Sequence, residues 1–209
     1  LAKTVLSTNI KYLSMKEFDE IINAISQVDQ SSKFMKRNLT LFLVAEYCGL
    51  RASEVGMLEF TDYNPDEKTI FCRRLKGSVS NKLKIVDSRV SDALDSFYSE
   101  RISQKHGKRI FASKTERPID RRTLDALMKY YCSFTHISPD KWHFHTLKHT
   151  RAMELIDGFN LDVRDVQWWL GHKYIANTMI YLNYSINAQQ KLYEKLLRTQ
   201  SEQASHDNK

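Results

Sequence analysis

Apolar residues recur at the spacing of amphipathic helices along most of the chain. The first such segment, residues 14–28, opens with Ser14 and Glu17 at the spacing of a capping box. Its apolar positions follow the helical period: Phe18, Ile21, Ile22, Ile25 and Val28. A second segment, 38–49, is mostly apolar and ends at Gly49, which predicts a buried helix. Further helices are predicted at 90–98, 121–134, 146–157, 163–171 and 186–200, the last with Ile186, Leu192 and Leu196 on one side.

Short β-prone runs interrupt the helical pattern in the first half of the chain. Residues 69–74 and 82–86 flank a Gly-Ser turn, which predicts a β-hairpin. A third strand is predicted at 108–112. The pattern as a whole predicts one mainly α-helical domain with a small, about three-stranded antiparallel β-sheet.

The composition is that of a basic globular protein. The 209 residues suit one domain, and a hydrophobic content of 42% is enough for a core. The net charge of +7 favours a polyanionic partner, with nucleic acid ahead of a membrane surface. No apolar run reaches the roughly 18 residues of a membrane span. Three cysteines without disulfide or metal spacing indicate a reduced intracellular setting.

Two polar positions near the predicted hairpin and the second helix are open to more than one interpretation. Arg51 follows the end of the second helix, and Glu54 lies three residues later. They could form a surface ion pair, or Glu54 could be the partner that a buried arginine needs. Lys76 lies at the hairpin turn, where a lysine on its own is usually just solvated.

The segment HFHTLKHTR, residues 143–151, places three basic side chains on one helix face. His145, Lys148 and His149 have the spacing i, i+3 and i+4. Two histidines at this spacing could bind zinc, but no Cys, Asp or Glu nearby completes a ligand set, so we predict no metal site. A solvated cationic face is the other interpretation.

A last pair lies further along the chain. His172 follows Gly171 at the end of a predicted helix, and Tyr181 follows nine residues later. A histidine there often only caps helix carbonyls, and a lone tyrosine usually belongs to the core or the surface.

The ordered set of these residues resembles the catalytic domain of the tyrosine recombinases, the phage-integrase family. The motifs follow in the family's order: GLRASE with Arg51 and Glu54, LKG with Lys76, HTLKH with His145, Lys148 and His149, and LGH with His172, then Tyr181. The resemblance covers roughly residues 12–200. One position departs from it, because Lys148 stands where the family usually has its second arginine.

The resemblance implies a site-specific recombinase that cleaves and rejoins DNA strands and integrates or excises a mobile element. Tyr181 would attack the phosphate and form a covalent 3′-phosphotyrosine, without a metal or other cofactor. Lys76, on the hairpin, would give a proton to the leaving 5′-oxygen. The remaining residues would surround the phosphate or support those that do: Arg51, His145, Lys148 and His172 in the first role, Glu54 and His149 in the second.

The resemblance also implies a domain plan and partners. Residues 1–11 would be a linker remnant, 12–200 the catalytic domain and 201–209 a polar tail, and an N-terminal DNA-clamping domain would lie outside this chain. The partners would be double-stranded DNA sites, other copies in a tetramer that exchanges C-terminal helices, and accessory DNA-bending proteins, with no membrane. The protein would act in the cytoplasm of a prokaryotic host, or be virus-encoded and act in the host cell.

Two alternatives of function stay open from the sequence. A type IB topoisomerase shares the tyrosine chemistry and would relax supercoiled DNA. A DNA-binding module with impaired catalysis is the other, and Lys148 is the residue that supports it.

Overall fold

The computed structural model describes residues 10–30, 32, 34–103, 107–113, 115–187, 190, 193–194 and 196–198. Helices dominate this part of the chain. The α-helices are α1 Met15–Val28, α2 Met35–Tyr47, α3 Ala52–Val55, α4 Ser88–Ser103, α5 Arg121–Cys132, α6 Thr146–Met153, α7 Val163–Leu170 and α8 Ala176–Met179. Short 3-10 helices lie at Phe60–Asp62, Pro139–Lys141 and Ile180–Tyr184, and a π-helix at Glu154–Gly158.

Helix α1 begins as its sequence predicts. The backbone N–H of Glu17 donates to Ser14 Oγ at 3.2 Å, and the N–H of Ser14 donates to Glu17 Oε2 at 2.7 Å. This reciprocal pair satisfies two N–H groups that a helix end leaves without partners. The helix then buries one face through Phe18, Ile21, Ala24 and Ile25.

Helix α2 is the central element of the fold. It packs against α1, α4 and α6, so nearly all of its surface is covered. Gly49 follows it with a φ of +58°, a left-handed conformation that glycine adopts without strain. A Cβ at Gly49 would lie 2.4 Å from Leu170 Cδ2, so the position also needs the absence of a side chain.

The sheet has three antiparallel strands in the order β1 Tyr63–Asn64, β2 Thr69–Cys72 and β3 Asn81–Lys84. The fold class and the hairpin predicted from the sequence are confirmed. The strand predicted at 108–112 is wrong, because the chain there makes only isolated bridges, Glu59 with Arg109 and Ala112 with Pro118. Adjacent Ile110 and Phe111 are both fully buried. Both side chains fill the core instead of alternating between two faces. Their β-prone character therefore matches a buried position and not a strand.

The core has two parts. The larger cluster lies between α1, α2, α4, α5 and the sheet. The smaller one, which we call the second core cluster, consists of Ile10, Ala152, Met153, Leu155, Ile156, Val166, Leu170 and Tyr181. Trp169 packs against both clusters and so joins them. Within the described ranges, no helix is long and apolar enough to cross a membrane.

Two predicted helices near the C-terminus differ in detail from what the structure shows. The helix predicted at 146–157 is α-helical only to Met153 and continues as the π-helix. In the segment 186–200, the described residues 186, 187, 190, 193, 194 and 196–198 are helical. Ile186 and Leu196 are exposed there, whereas Leu192 lies outside the described residues, as do the predicted linker residues 1–9 and the tail 201–209.

Candidate active site

Arg51 is held at the start of α3 by Glu54. Its Nη1 donates to Glu54 Oε1 at 2.8 Å, and its backbone N–H donates to Glu54 Oε2 at 2.9 Å. The Glu54 side chain is fully buried, whereas that of Arg51 is 30% exposed. The pair is therefore a buried carboxylate that orients a half-exposed guanidinium, and not a surface ion pair.

The charge of Glu54 is kept by its surroundings. Burial alone would raise its pKa, but Lys148, the Arg51 backbone N–H and Arg74 together hold that pKa below its ordinary value. Leu75 N also donates to Glu54 Oε1 at 3.2 Å. Glu54 is thus an ionised carboxylate with cations on several sides, which is the state that can orient Arg51.

Arg74 is a buried cation at the centre of the site that the sequence analysis missed. Its guanidinium donates to the carbonyls of Cys48, Gly49 and Trp169 at 2.9, 3.0 and 2.9 Å. It therefore joins the end of α2 to the end of α7 from a position two residues after β2. The sequence shows an arginine pair just before LKG, but carbonyl partners carry no sequence signal.

Lys148 lies beside Arg74. Its Nζ donates to Gly49 O at 2.8 Å and to Leu170 O at 3.0 Å, and the side chain is buried. Burial, followed by the nearby charge of Arg74, lowers its pKa well below the ordinary value for lysine. An ammonium group has three N–H bonds, and these two carbonyls accept two of them.

The hairpin that carries Lys76 contacts the segment that follows α7. Ser78 forms an isolated bridge with His172, and Val79 N donates to Gly171 O at 2.9 Å. Ser78 Oγ also accepts from Arg51 Nη1 at 2.9 Å. Lys76 itself is exposed in the turn, two residues from these contacts.

His145 and His149 line a cleft of about 710 Å³ on the surface of the domain. Their rings stack edge to face with centroids 4.5 Å apart. The other lining residues are Ile10, Lys11, Arg51, Ala52, Ser53, Leu75, Arg121, Asp125, His143, Thr146 and Ile180. Arg51, His145 and His149 thus all line the cleft, whereas Lys148 is buried and is not one of its lining residues.

His172 follows Gly171, whose φ of +65° ends α7. A Cβ at Gly171 would lie 2.5 Å from Val79 O, so this position permits the hairpin to approach the helix end. His172 is buried, and its Nδ1 lies 2.9 Å from Thr178 Oγ1. Burial and the nearby cations Lys148 and Arg51 lower the pKa of His172 to about 3, so it is neutral at physiological pH.

Tyr181 lies in the 3-10 helix Ile180–Tyr184 that follows α8. Its ring belongs to the second core cluster, and its hydroxyl lies 2.9 Å from His149 Nδ1. Burial raises its pKa above that of a free tyrosine, and Arg51 opposes that rise. The phenol is protonated and faces the wall of the cleft that carries His149.

Arg151, a second cation on the same helix as Lys148, has its contacts outside the cleft. It forms an ion pair with Glu154 and stacks on Tyr47 and Trp169, with its Cζ 4.5 and 4.6 Å from their ring centroids. It therefore belongs to the packing between α2, α6 and α7. Over the residues that the structure describes, no three His, Cys, Asp or Glu side chains are arranged to hold a metal ion.

The chain matches the model of the phage integrase family over residues 11–187. Tyrosine recombinase XerC of Caldanaerobacter subterraneus is 27% identical over 170 residues, which are 81% of this chain and 46% of XerC. The type 1 fimbriae regulatory protein FimB of Escherichia coli K12 is 27% identical over 172 residues, 81% of this chain and 82% of FimB. The chain thus spans about half the length of XerC but most of FimB.

Solved structures show the same fold. The crystal structure of XerA recombinase superposes with a TM-score of 0.72 at 26% identity, over 88% of this chain and 64% of XerA. A lambda integrase dimer bound to a COC' core site superposes with a TM-score of 0.64 at 18% identity, over 86% of this chain and 50% of that one. The family model accounts for most of the chain, and the chain belongs to the phage integrase family of tyrosine recombinases.

Proposed function

We propose that this protein is a site-specific DNA recombinase that cleaves and rejoins DNA strands through a covalent 3′-phosphotyrosine at Tyr181, and so integrates or excises a mobile element. The observation that carries the proposal is the position of the Tyr181 hydroxyl. It lies 2.9 Å from His149 on a cleft whose wall also carries Arg51 and His145. Relatives at 27% identity are a tyrosine recombinase and a regulator of fimbriae.

The proposed chemistry follows from the charges in the cleft. The transition state for attack on a phosphodiester gains negative charge on its nonbridging oxygens, and aligned donors stabilise that charge. Arg51 presents a planar fork that Glu54 orients, which suits two oxygens. His145 adds a donor from the same wall, and Lys148 retains one N–H beyond its two carbonyl bonds.

The covalent step exchanges one phosphoester for another. The bond from Tyr181 oxygen to phosphorus forms as the bond from phosphorus to the 5′-oxygen breaks. Lys76 supplies the proton that the leaving 5′-oxygen needs, from a turn whose neighbours Ser78 and Val79 are tied to the His172 segment. The phosphotyrosine conserves the ester, so the free 5′-hydroxyl can rejoin without ATP and without a cofactor.

The proposed partners are double-stranded DNA sites and further copies of the protein. The described C-terminal residues expose an apolar set, Ile186, Tyr193, Leu196 and Leu197. Exposed apolar side chains on a terminal helix favour burial against a neighbouring copy, which supports helix exchange in a DNA-bound tetramer. DNA-bending accessory proteins and action on DNA in the cytoplasm of a prokaryotic host, or of a host cell infected by a virus, complete the proposal.

A suicide substrate tests the proposal directly. A nicked duplex that loses its 5′ fragment after cleavage traps the covalent adduct, which migrates slowly in denaturing gels. The protein at its full natural length should form this adduct, and Tyr181→Phe should form none while binding DNA nearly as well, because only a hydroxyl is lost. Adducts in the Tyr181→Phe protein would move the nucleophile elsewhere, with Tyr184 next to be tested.

The same protein distinguishes the alternative functions. Relaxation of a supercoiled plasmid that lacks a cognate site, without recombinants from a cognate pair, would indicate a topoisomerase. DNA binding without any adduct would indicate a binding module. We expect recombinants from a cognate pair, formed in the presence of EDTA as well as in its absence.

A further inference from the structure

The hydroxyl of Tyr181 has a specific neighbour in the structure, and it is not one of the residues assigned above to the phosphate. His149 Nδ1 lies 2.9 Å from the hydroxyl oxygen, within hydrogen-bond distance. The two rings are 5.7 Å apart and tilted by 58°, so the contact runs through the polar atoms and not through stacked faces.

The other two predicted site histidines are oriented toward different partners. His172 directs its Nδ1 at Thr178 Oγ1, 2.9 Å away. His145 stacks edge to face on the His149 ring, with centroids 4.5 Å apart. His149 is therefore the histidine that the fold places on the nucleophile, and His145 packs against it from the adjoining position on the cleft wall.

We propose that His149 is the general base of the cleavage step, accepting the phenolic proton of Tyr181 through Nδ1 as the oxygen attacks phosphorus. This inference rests on the proposed function. The tautomer that it requires carries hydrogen on Nε2 and a free electron pair on Nδ1. As the bond from Tyr181 oxygen to phosphorus forms, the proton passes to Nδ1, and the 5′-oxygen leaves with a proton from Lys76. Rejoining runs in reverse, and His149 returns the proton to Tyr181.

The surroundings of His149 keep its imidazole neutral, which leaves Nδ1 open to a proton; the same surroundings make it a weak base until a negatively charged phosphate lies beside it. Burial, followed by the charges of His145 and Lys148, lowers the pKa of His149 to about 3, so its electron pair is available at physiological pH. The Tyr181 phenol is buried and resists ionisation in advance of the reaction. Its proton must therefore leave as the bond to phosphorus forms, when the oxygen loses electron density and becomes acidic. This is the situation in which a positioned base accelerates a reaction.

The contact also assigns a separate chemical task to each end of the reaction. Arg51 and Lys148 neutralise charge, Lys76 protonates the leaving group, and His149 deprotonates the nucleophile. A substrate whose leaving group needs no proton should therefore rescue a Lys76 variant and not a His149 variant. A more acidic phenol should in turn rescue a His149 variant if His149 is the base. It should give no rescue if His149 only packs against Tyr181.

The test measures single-turnover adduct formation on a suicide substrate by the full-length protein. His149→Gln should slow the reaction about 10²–10⁴-fold, the range typical of a lost general base. His136→Gln is the control, because its side chain is 99% exposed and does not line the cleft, and it should cleave at the wild-type rate. A 5′-bridging phosphorothiolate, whose sulfur leaves without protonation, should rescue Lys76→Ala but not His149→Gln.

The decisive measurement introduces a difluorotyrosine at position 181 in the His149→Gln protein. A more acidic phenol needs less help in losing its proton, so the fluorinated nucleophile should recover at least 10-fold of the lost rate. A wild-type rate in His149→Gln, or a loss that the fluorinated tyrosine does not recover, would overturn the assignment while leaving the recombinase function intact. Absence of an adduct in the wild-type protein would instead refute the proposed function and this inference with it.

Discussion

At the scale of single residues, Lys148 shows what a buried lysine does where the family usually has arginine. Its ammonium fits between the carbonyls of Gly49 and Leu170, at 2.8 and 3.0 Å. A point charge with three N–H groups can make both bonds and still direct a third donor at a phosphate, whereas a planar fork would need a wider space. Lysine thus joins two helix ends next to the residues that line the cleft.

Replacing Lys148 with Ala should slow covalent cleavage by about two orders of magnitude or more, because one charge-assisted donor is lost from the transition state. DNA affinity should change little, since most of it comes from other phosphate contacts. The variant should also lose about 1–3 kcal/mol of stability, because the Leu170 carbonyl is left without its partner. Single-turnover cleavage by folded protein, verified by circular dichroism, measures the effect.

Lys148→Arg is the matched control, since it keeps the charge. It should retain cleavage, reduced only by the poorer fit of the guanidinium between the two carbonyls. Wild-type cleavage by Lys148→Ala would show that Lys148 does not contact the phosphate.

The neutral histidines of the site predict a loss of stability in mild acid. The folded-state pKa values of His149 and His172 are about 3, below the value of about 6.5 in an unfolded chain. Between these values the unfolded chain binds protons that the folded chain excludes, so stability falls as pH falls below about 6.5. At pH 5 each histidine should cost at most about 2 kcal/mol relative to pH 7.

Urea unfolding at pH 7 and pH 5 measures this loss. His172→Gln can keep a hydrogen bond to Thr178 but cannot take up a proton, so its stability should depend less on pH than that of the wild type. An equal pH dependence in the two proteins would show that His172 is not the group responsible.

At the scale of elements, the site forms where the ends of two helices meet the hairpin. The end of α2, the hairpin and the end of α7 meet at Arg74, and Asn81 Nδ2 adds a bond to Trp168 O at 2.7 Å. Two glycines in left-handed conformations, Gly49 and Gly171, allow these ends to approach. The positions of Arg51, Lys76 and His172 therefore depend on backbone geometry in elements that carry little chemistry themselves.

Gly171→Ala should therefore be strongly destabilising. The φ of +65° costs an alanine about 1–2 kcal/mol, and its Cβ would lie 2.5 Å from Val79 O and 2.9 Å from Arg74 Nε. Relief of that overlap adds a further cost of about 1–3 kcal/mol. Thermal or urea unfolding of the variant, compared with wild type, gives the total.

Gly77→Ala provides the control. Its φ of +87° carries a similar backbone cost, but a Cβ there would meet no atom within 4 Å. We expect it to lose only about 1–2 kcal/mol, so the difference between the two variants isolates the contact between hairpin and helix. Equal losses would mean that this contact contributes nothing beyond backbone strain.

Local signals in the sequence predicted the elements better than the contacts between distant segments. Periodicity and caps predicted α1, α2 and the hairpin, because those signals are local. The strand β1 was missed because it has only two residues, and 108–112 was mistaken for a strand because buried Ile110 and Phe111 resemble one. The motifs identified the eight predicted site residues. They did not identify Arg74, because its partners are carbonyls from distant segments.

At the scale of the whole molecule, the C-terminal segment should contribute to assembly more than to binding. Ile186 and Leu196 are 67% and 53% exposed, so they have apolar surface to bury on another copy. Deleting residues 186–209 from the full-length protein should reduce recombination more than affinity for a single DNA site. Paired recombination and gel-shift assays measure both quantities, and full recombination by the truncated protein would refute helix exchange.

The start of the described chain contacts the segment that bears the proposed nucleophile, Tyr181. Ile10 packs in the second core cluster with Tyr181, its N–H donates to Tyr184 Oη at 3.3 Å, and Leu13 N donates to Thr150 Oγ1 at 2.9 Å. Two segments that share contacts are thermodynamically linked, so ordering either one favours order in the other by the same free energy. A partner that ordered the chain at Ile10–Leu13 would thus favour the ordered position of Tyr181, and force applied to that stretch would disfavour it.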